Sequence, residues 1–358
     1  MSMKRSVENI GKRSQPTKSP KIRTFNQATK DFLTKAKPRL KASTHARYRF
    51  ICERHLSPYF GDMKLNKLND RVVNDFIQGK LKNGGLSKSK NSGLIGSSLI
   101  GNSELSGKST LNPLSPKTVN DMMRLFKQIV ETHHKLDFTI EKPSQGQTEI
   151  TVFTKEEYKK LKAYLLIGID NNKLGIITAL LTGIRLGELC ALKWADIDLD
   201  NAVIRIDKTM QRVRVADDAI KNTNPKPKKK TKIIIDTPKS TASIRTIPIS
   251  SDLLKTLKSF QSHNDTYLLT NNRKYIEPRI YQRHFKSHLQ ACNIKDNKFH
   301  TLRHTFATRA ISRQMDTKSL SAILGHTDVS FTMKRYVHPD LEHKRLQIEK
   351  VSDDFFGK

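Results

Sequence analysis

Apolar positions recur at helical spacing through much of the first 138 residues. Phe25, Ala28, Phe32, Leu33 and Ala36 fall on one face, and Pro38 closes that helix. Ser43 is placed to cap a second helix, with Tyr48, Ile51, His55, Leu56 and Tyr59 on one side and Gly61 at its end. Asn69 is placed to cap a third, carrying Val72, Val73, Phe76, Ile77 and Leu81 inward. Ser115 followed by Pro116 marks a fourth start, because proline gives up no hydrogen bond at the first helical position. Val119, Met122, Phe126, Ile129 and Val130 form its inner face.

The pattern changes from residue 151. Thr154-Lys-Glu-Glu157 reads as a capping box before a helix. A further helix is predicted from Lys173 to Leu181, and the turn at Thr182-Gly183 sets Arg185 at the start of another. Residues 203–208, 233–236 and 244–249 alternate or run apolar as strands do, which predicts one small antiparallel sheet. The remainder, from about Ser251, is helical, with Arg303 on the helix that follows His300. The expected fold is mainly α with a small antiparallel β-sheet: a helical domain over 24–138 and an α+β domain over 151–339.

Four segments break the periodicity. Residues 1–23 hold seven Lys/Arg and a single acid, Glu8, and read as a disordered basic arm. Residues 83–114 contain six of the 16 glycines and eight serines, a composition of flexible chain rather than of a packed loop. Residues 139–150, with Pro143 and Gly146, read as a linker. Residues 340–358 form a tail with Leu341, Ile348, Val351, Phe355 and Phe356, whose paired aromatics suit packing either against their own domain or against another protomer.

Charge narrows the partner. Lys and Arg number 66 against 34 Asp and Glu, a net charge of +32. Such an excess favours a polyanion, because each neutralised phosphate releases counterions. Exposed cations on the helical domain (Lys41, Arg47, Arg49, Arg54, Lys117, Arg124, Lys127) and in the Pro/Lys-rich stretch 223–231 read equally as phosphate contacts or as a solvated surface. No apolar run approaches the ~20 residues needed to span a bilayer, and the basic N-terminal residues lack the apolar stretch of a signal peptide. No membrane partner is expected. Cys52, Cys190 and Cys292 are scattered and form no CxxC pair, which fits a reducing cytoplasm and argues against a zinc site.

The candidate chemistry lies near the C-terminus: His300-Thr301-Leu302-Arg303-His304, then Leu324-Gly325-His326, then Tyr336. A second arginine stands in Thr182-Gly183-Ile184-Arg185-Leu186-Gly187-Glu188-Leu189, and Lys239 sits in Thr237-Pro238-Lys239-Ser240-Thr241-Ala242-Ser243-Ile244-Arg245. A phosphodiester under attack develops charge on its non-bridging oxygens, which a metal ion or fixed cationic donors must neutralise. Guanidinium forks match those oxygens. Histidines add donors or a base. A tyrosine hydroxyl is a competent covalent nucleophile once deprotonated, and a lysine can protonate the leaving oxygen. Glu188, one turn after Arg185, suits an ion pair that orients it. His304 reads equally well as a buried structural histidine.

These four boxes, in this order, resemble the tyrosine recombinases, the phage-integrase family. The style of the hairpin and of the stretch around His326 and Tyr336 is most similar to integrases of phages and integrative elements from Gram-positive bacteria. The resemblance implies a helical core-binding domain over 24–138 and a catalytic domain over 151–339 that together clamp double-stranded DNA. It implies catalysis by Arg185, Lys239, His300, Arg303, His326 and Tyr336 through a 3′-phosphotyrosyl bond, with no cofactor, metal or ATP. It further implies a homo-tetramer on paired recombination sites, action at the nucleoid, and room for an accessory directionality factor. A nicking-resealing enzyme of the type IB topoisomerase kind, and a catalytically silent DNA-binding relative, are the alternatives.

Overall fold

The computed structural model describes residues 23–84, 112–146, 150–214, 231–238, 241–336 and 341–357. These divide after Gly146 into two compact units. The basic arm up to residue 22, most of the Gly/Ser-rich stretch, residues 223–230 and Lys239 lie outside the described residues.

The first unit is helical. Helix α1 spans Phe25–Ala36 and begins in a reciprocal capping box between Thr24 and Gln27. Helix α2, Ala42–Ile51, runs through a π-helical turn, Cys52–Leu56, into the short α3, Ser57–Phe60. The widened turn has a local cause. Pro58 lacks an N–H, and its ring crowds the carbonyl four residues back, so the chain opens to an i→i+5 bond from the Ser57 N–H to the Cys52 carbonyl. Ser43 is not the cap predicted from the sequence: it lies inside the first turn of α2, and Lys41 holds the cap position by backbone alone. Helix α4, Asp70–Asn83, and α5, Pro116–Val130, start at Asn69 and Ser115, whose side chains accept from the N–H groups of Val72 and Thr118.

The core follows from these four starts. Phe25, Phe60, Phe76 and Phe126 are all buried. Their rings meet at centroid distances of 4.7 Å (Phe60–Phe126), 4.9 Å (Phe60–Phe76) and 5.4 Å (Phe25–Phe126). Such rings contribute through buried area and ring orientation together. Gly61 permits the tight crossing of α1 and α3, since a Cβ there would lie 2.5 Å from both Asn26 Nδ2 and the Ser57 carbonyl oxygen.

The second unit builds on a buried helix. Helix α6, Lys155–Leu165, starts in the Thr154/Glu157 capping box, and α7, Asn171–Thr182, buries Leu174, Ile176, Thr178, Ala179, Leu180 and Thr182. The short α8, Leu186–Ala191, follows. Strands β1 (Ile197–Asp198), β2 (Val203–Ile206) and β5 (Arg245–Pro248) form one antiparallel sheet in the order β1-β2-β5, with Ile204 opposite Ile247. Strands β3 (Thr209–Arg214) and β4 (Thr231–Asp236) form a second, two-stranded sheet with Met210 opposite Ile235.

The single predicted sheet is therefore two. Strand β3 escaped notice because its alternation, Thr-Met-Gln-Arg-Val-Arg, is dominated by polar residues. With β3 present, β4 pairs to it rather than to β2.

Among the described residues, helices α9 (Ser251–Ser259), α10 (Pro278–Ala291), α11 (His300–Ser312), α12 (Thr317–Leu324) and α13 (Val329–Tyr336) follow. The tail read from the sequence is itself a helix, α14, over Leu341–Phe356. Among the described residues, no helix is long and apolar enough to cross a membrane.

Candidate active site

Helix α7 ends on Gly183, which adopts φ +64°. A side chain there would be strained and would also collide with Phe306 and Leu324, its Cβ 2.6 and 2.7 Å from their atoms. The chain then turns so that Arg185 becomes the cap residue of α8. Glu188 reaches back to it twice, accepting from the Arg185 backbone N–H at 3.0 Å and from its Nη1 at 2.7 Å. Arg185 Nη2 donates to the Gly325 carbonyl at 3.1 Å. The predicted Arg185–Glu188 pair is thus formed, but it is half of a larger device. Arg245, from β5, donates to the same carboxylate through Nη1 at 3.2 Å and Nη2 at 2.9 Å, and through Nε to the Ile323 carbonyl at 2.6 Å. Burial raises the Glu188 pKa, but the two arginines outweigh that and hold it below its usual value.

Helix α11 carries His300, Arg303 and His304 at spacings that keep them on one side. Arg303 is buried, with 2 % of its surface exposed. Its Nη1 donates to the Gly183 carbonyl at 2.8 Å, and its Nη2 to the Leu324 carbonyl at 2.7 Å and to His326 Nε2 at 2.9 Å. Burial and the nearby Arg185 lower its pKa to about 9, which leaves it charged at neutral pH. Because a guanidinium only donates, His326 Nε2 must accept. The proton of His326 therefore sits on Nδ1, which lies 2.8 Å from Thr332 Oγ1. Burial and the surrounding arginines depress all three histidines, His300 and His304 to about 4 and His326 to about 3.

Tyr336 closes α13 with its ring packed among Ala307, Ala310, Leu320 and Leu324. Its hydroxyl lies 2.7 Å from His304 Nδ1. Burial raises the phenol above its usual pKa, against the pull of Arg303 and Arg335.

One pocket of about 560 Å³ gathers these groups. Arg185, His300, Arg303, His326 and Tyr336, five of the six residues singled out from the sequence, line it; Lys239 lies outside the described residues. His304 and Arg335 line it as well. Sequence reasoning left His304 open between chemistry and burial, and gave no role to Arg335 or to Arg245 behind the wall. Two had a signal. His304 follows His300 by four residues, hence on the same helical face, and Arg245 shares the inward face of a strand with Ile247. Arg335 offered none beyond adjacency to Tyr336.

The pocket is cationic and donor-rich. It can hold a tetrahedral oxyanion between guanidinium groups while a phenol stands at its edge. Among the described residues, no cluster of three or more His, Cys, Asp or Glu is arranged as a metal site.

A family model described as "Phage integrase family" matches residues 151–343, more than half of the 358, and one described as "Phage integrase, N-terminal SAM-like domain" matches residues 24–81. The chain is 31 % identical over 226 residues to the tyrosine recombinase XerC-like protein of Caldanaerobacter subterraneus subsp. tengcongensis, covering 58 % of this chain and 56 % of that protein. It is 22 % identical over 333 residues to the ICEBs1 integrase of Bacillus subtilis, covering 87 % of this chain and 78 % of the relative. Of the XerC-like protein it therefore spans little more than half the length. In fold it is similar to the Tn1549 transposon integrase solved with transposon right end DNA, with a TM-score of 0.65 at 19 % identity over 92 % of this chain and 100 % of that one.

Proposed function

Because the chain belongs to the phage integrase family, we propose that it is a site-specific tyrosine recombinase that cuts and rejoins double-stranded DNA to integrate or excise a mobile element. The observation that carries this reading is the convergence of Arg185, His300, Arg303, His326 and Tyr336 on one cationic pocket. Arg185 and Arg303 are each fixed by carbonyl acceptors, so their charge is in place before a phosphate arrives. Donors held in that way cost no reorganisation at the moment of reaction.

In this reading the scissile phosphate enters the pocket between the arginines. The Tyr336 oxygen attacks phosphorus, the bond to the 5′-oxygen breaks, and a 3′-phosphotyrosyl bond forms. Lys239 protonates the leaving oxygen. A 5′-hydroxyl from a partner strand then attacks the phosphotyrosine and releases Tyr336. The bond energy is kept in the enzyme–DNA link, so neither ATP nor a metal enters the balance.

The partner is recombination-site DNA, bound wherever the chromosome lies. Helix α14 supports assembly on it. Leu341, Ile348 and Val351 are 72, 69 and 71 % exposed, and their spacing places them on one side of the helix. A neighbouring protomer is the occupant this stripe suits, and four protomers complete a two-site synapse.

A nicked suicide substrate tests the reading. Wild-type protein accumulates a covalent adduct on an SDS gel, in EDTA as well as without it. Tyr336→Phe forms none, while half-site binding is unchanged. An adduct that persists in Tyr336→Phe would place the nucleophile elsewhere.

A further inference from the structure

The reaction proposed above needs a group to take the Tyr336 proton, and this inference rests on that reading. The Tyr336 hydroxyl is 2.7 Å from His304 Nδ1. Of the three histidines at the pocket, His326 has both nitrogens engaged: Nε2 accepts from Arg303, and Nδ1 donates to Thr332. His300 meets His304 edge-on, with ring centroids 4.5 Å apart, and makes no hydrogen bond to Tyr336 among the described residues. His304 is left, with its Nδ1 facing the hydroxyl at hydrogen-bond distance.

We propose that His304 is the base that takes the Tyr336 proton during strand cleavage and returns it during rejoining. The O–H bond of Tyr336 breaks as an N–H bond forms at Nδ1. The phenolate oxygen then bonds to phosphorus, and the electron pair of the broken P–O bond leaves on the 5′-oxygen, which takes a proton from the general acid. On rejoining, the incoming 5′-hydroxyl gives its proton back to that group. The P–O bond to Tyr336 breaks, and the tyrosine oxygen recovers its proton from His304.

The surroundings explain when this base acts. His304 is held neutral first by burial and then by the Arg335 and Arg303 guanidinium groups beside it. A neutral imidazole carrying its proton on Nε2 is the form that can accept at Nδ1. Without DNA the same cations keep it a weak base, and Tyr336 remains a phenol. A phosphate docked against the arginines offsets their field, and the basicity of His304 rises in its presence. The nucleophile is thereby armed by the substrate it attacks.

Two measurements test the assignment. His304→Asn leaves an amide oxygen near the position of Nδ1, so it preserves an acceptor for Tyr336 and removes only the basicity. It is expected to bind a half-site as wild type does, and to cleave the suicide substrate at least ~10²-fold more slowly, the usual scale for one general base. A ring-fluorinated tyrosine at position 336, which ionises more readily, restores most of that loss. Cleavage at the wild-type rate by His304→Asn, or a loss that the fluorinated ring does not repair, would overturn the proposal. Should His304→Asn not fold, nitrogen NMR of His304 in the wild-type protein decides. The Nε2–H form at neutral pH supports the assignment, and the Nδ1–H form excludes it. A wild-type protein that makes no adduct at all sinks the recombinase reading, whereas equal adduct formation by wild type and His304→Asn sinks the role of His304 alone.

Discussion

Four phenylalanine rings hold the first unit together at Phe25, Phe60, Phe76 and Phe126, whereas one carboxylate between two arginines holds the pocket wall of the second. Most of the stabilisation from ring packing comes from buried area, which tolerates small shifts, with ring orientation adding less. The Glu188 arrangement is directional: its two oxygens accept from the Arg185 backbone, the Arg185 side chain and Arg245, and those same guanidinium groups continue to carbonyls before and after the α12 terminus. A fault in the first interior is paid in stability. A fault in the second displaces the donors that, in the proposed reaction, meet the phosphate.

The largest test of this contrast is a pair of truncations. Phe126→Ala removes a fully buried ring and is expected to cost about 3–5 kcal/mol, read as a lower denaturation midpoint, with cleavage per folded molecule unchanged. Glu188→Ala leaves Arg185 and Arg245 without their shared anion. It is expected to cost a similar ~3–5 kcal/mol and also to abolish cleavage, because Arg185 loses its orientation. Equal activity per folded molecule in the two variants would erase the distinction.

Within the pocket, Arg185→Ala and Arg303→Ala should each slow single-turnover cleavage at least ~10²-fold, the scale for one preorganised donor to a developing oxyanion. Lys239→Ala should slow cleavage on ordinary DNA and recover when the leaving oxygen is replaced by sulfur, which departs without a proton. Failure of the sulfur substrate to rescue would remove Lys239 from the role of acid.

The pH dependence separates the units further. His300, His304 and His326 are held at or below about 4, against an ordinary 6.5. Between those values the unfolded chain binds protons that the folded chain refuses, so stability falls as pH drops from about 6.5 toward 4. Glu188, held below its ordinary 4.5, adds to the loss as pH falls through its folded value. In the first unit, His55 alone is lowered as far, to about 4. Hydrogen exchange across this range should show the second unit loosening more steeply than the first; parallel curves would contradict the buried-histidine account.

The smallest effect is one in which the units should agree. Thr24 and Thr154 both close reciprocal capping boxes. Thr24→Ala and Thr154→Ala should each cost about 1 kcal/mol, seen as equal shifts in midpoint, with no change in cleavage rate.

The same contrast explains what the sequence disclosed. The first unit was legible because its interior is apolar: the period of Phe25, Ala28, Val73, Phe76, Val119 and Phe126 marks both helix and core, and Asn69 and Ser115 mark helix starts, whereas the Thr24 box went unread. Ser43 misled because hydroxyl residues suit a cap and a first turn alike, and the π-turn before Pro58 leaves no trace in a hydrophobic period. In the second unit, Arg185, His300, Arg303, His326 and Tyr336 were legible as chemistry rather than as periodicity. Arg245 showed only as an inward strand position, because its role depends on its side chain reaching the Glu188 carboxylate of α8, a relation that no period along the chain records. His304 stayed ambiguous because burial and chemistry select histidine alike, and only its distance to the Tyr336 hydroxyl separates them. Strand β3 was missed for the opposite reason: too few apolar residues mark it, although it fixes the partner of β4.

The central claim is that Tyr336, at the edge of the pocket built by Arg185 and Arg303, makes the covalent bond to DNA. The most direct test is to trap the adduct on a nicked substrate, digest the protein and locate the attached nucleotide by mass spectrometry. The account predicts a nucleotide 3′-phosphate on the peptide containing Tyr336 and nowhere else. The same mass increment on any other tyrosine peptide, with the Tyr336 peptide unmodified, would contradict it.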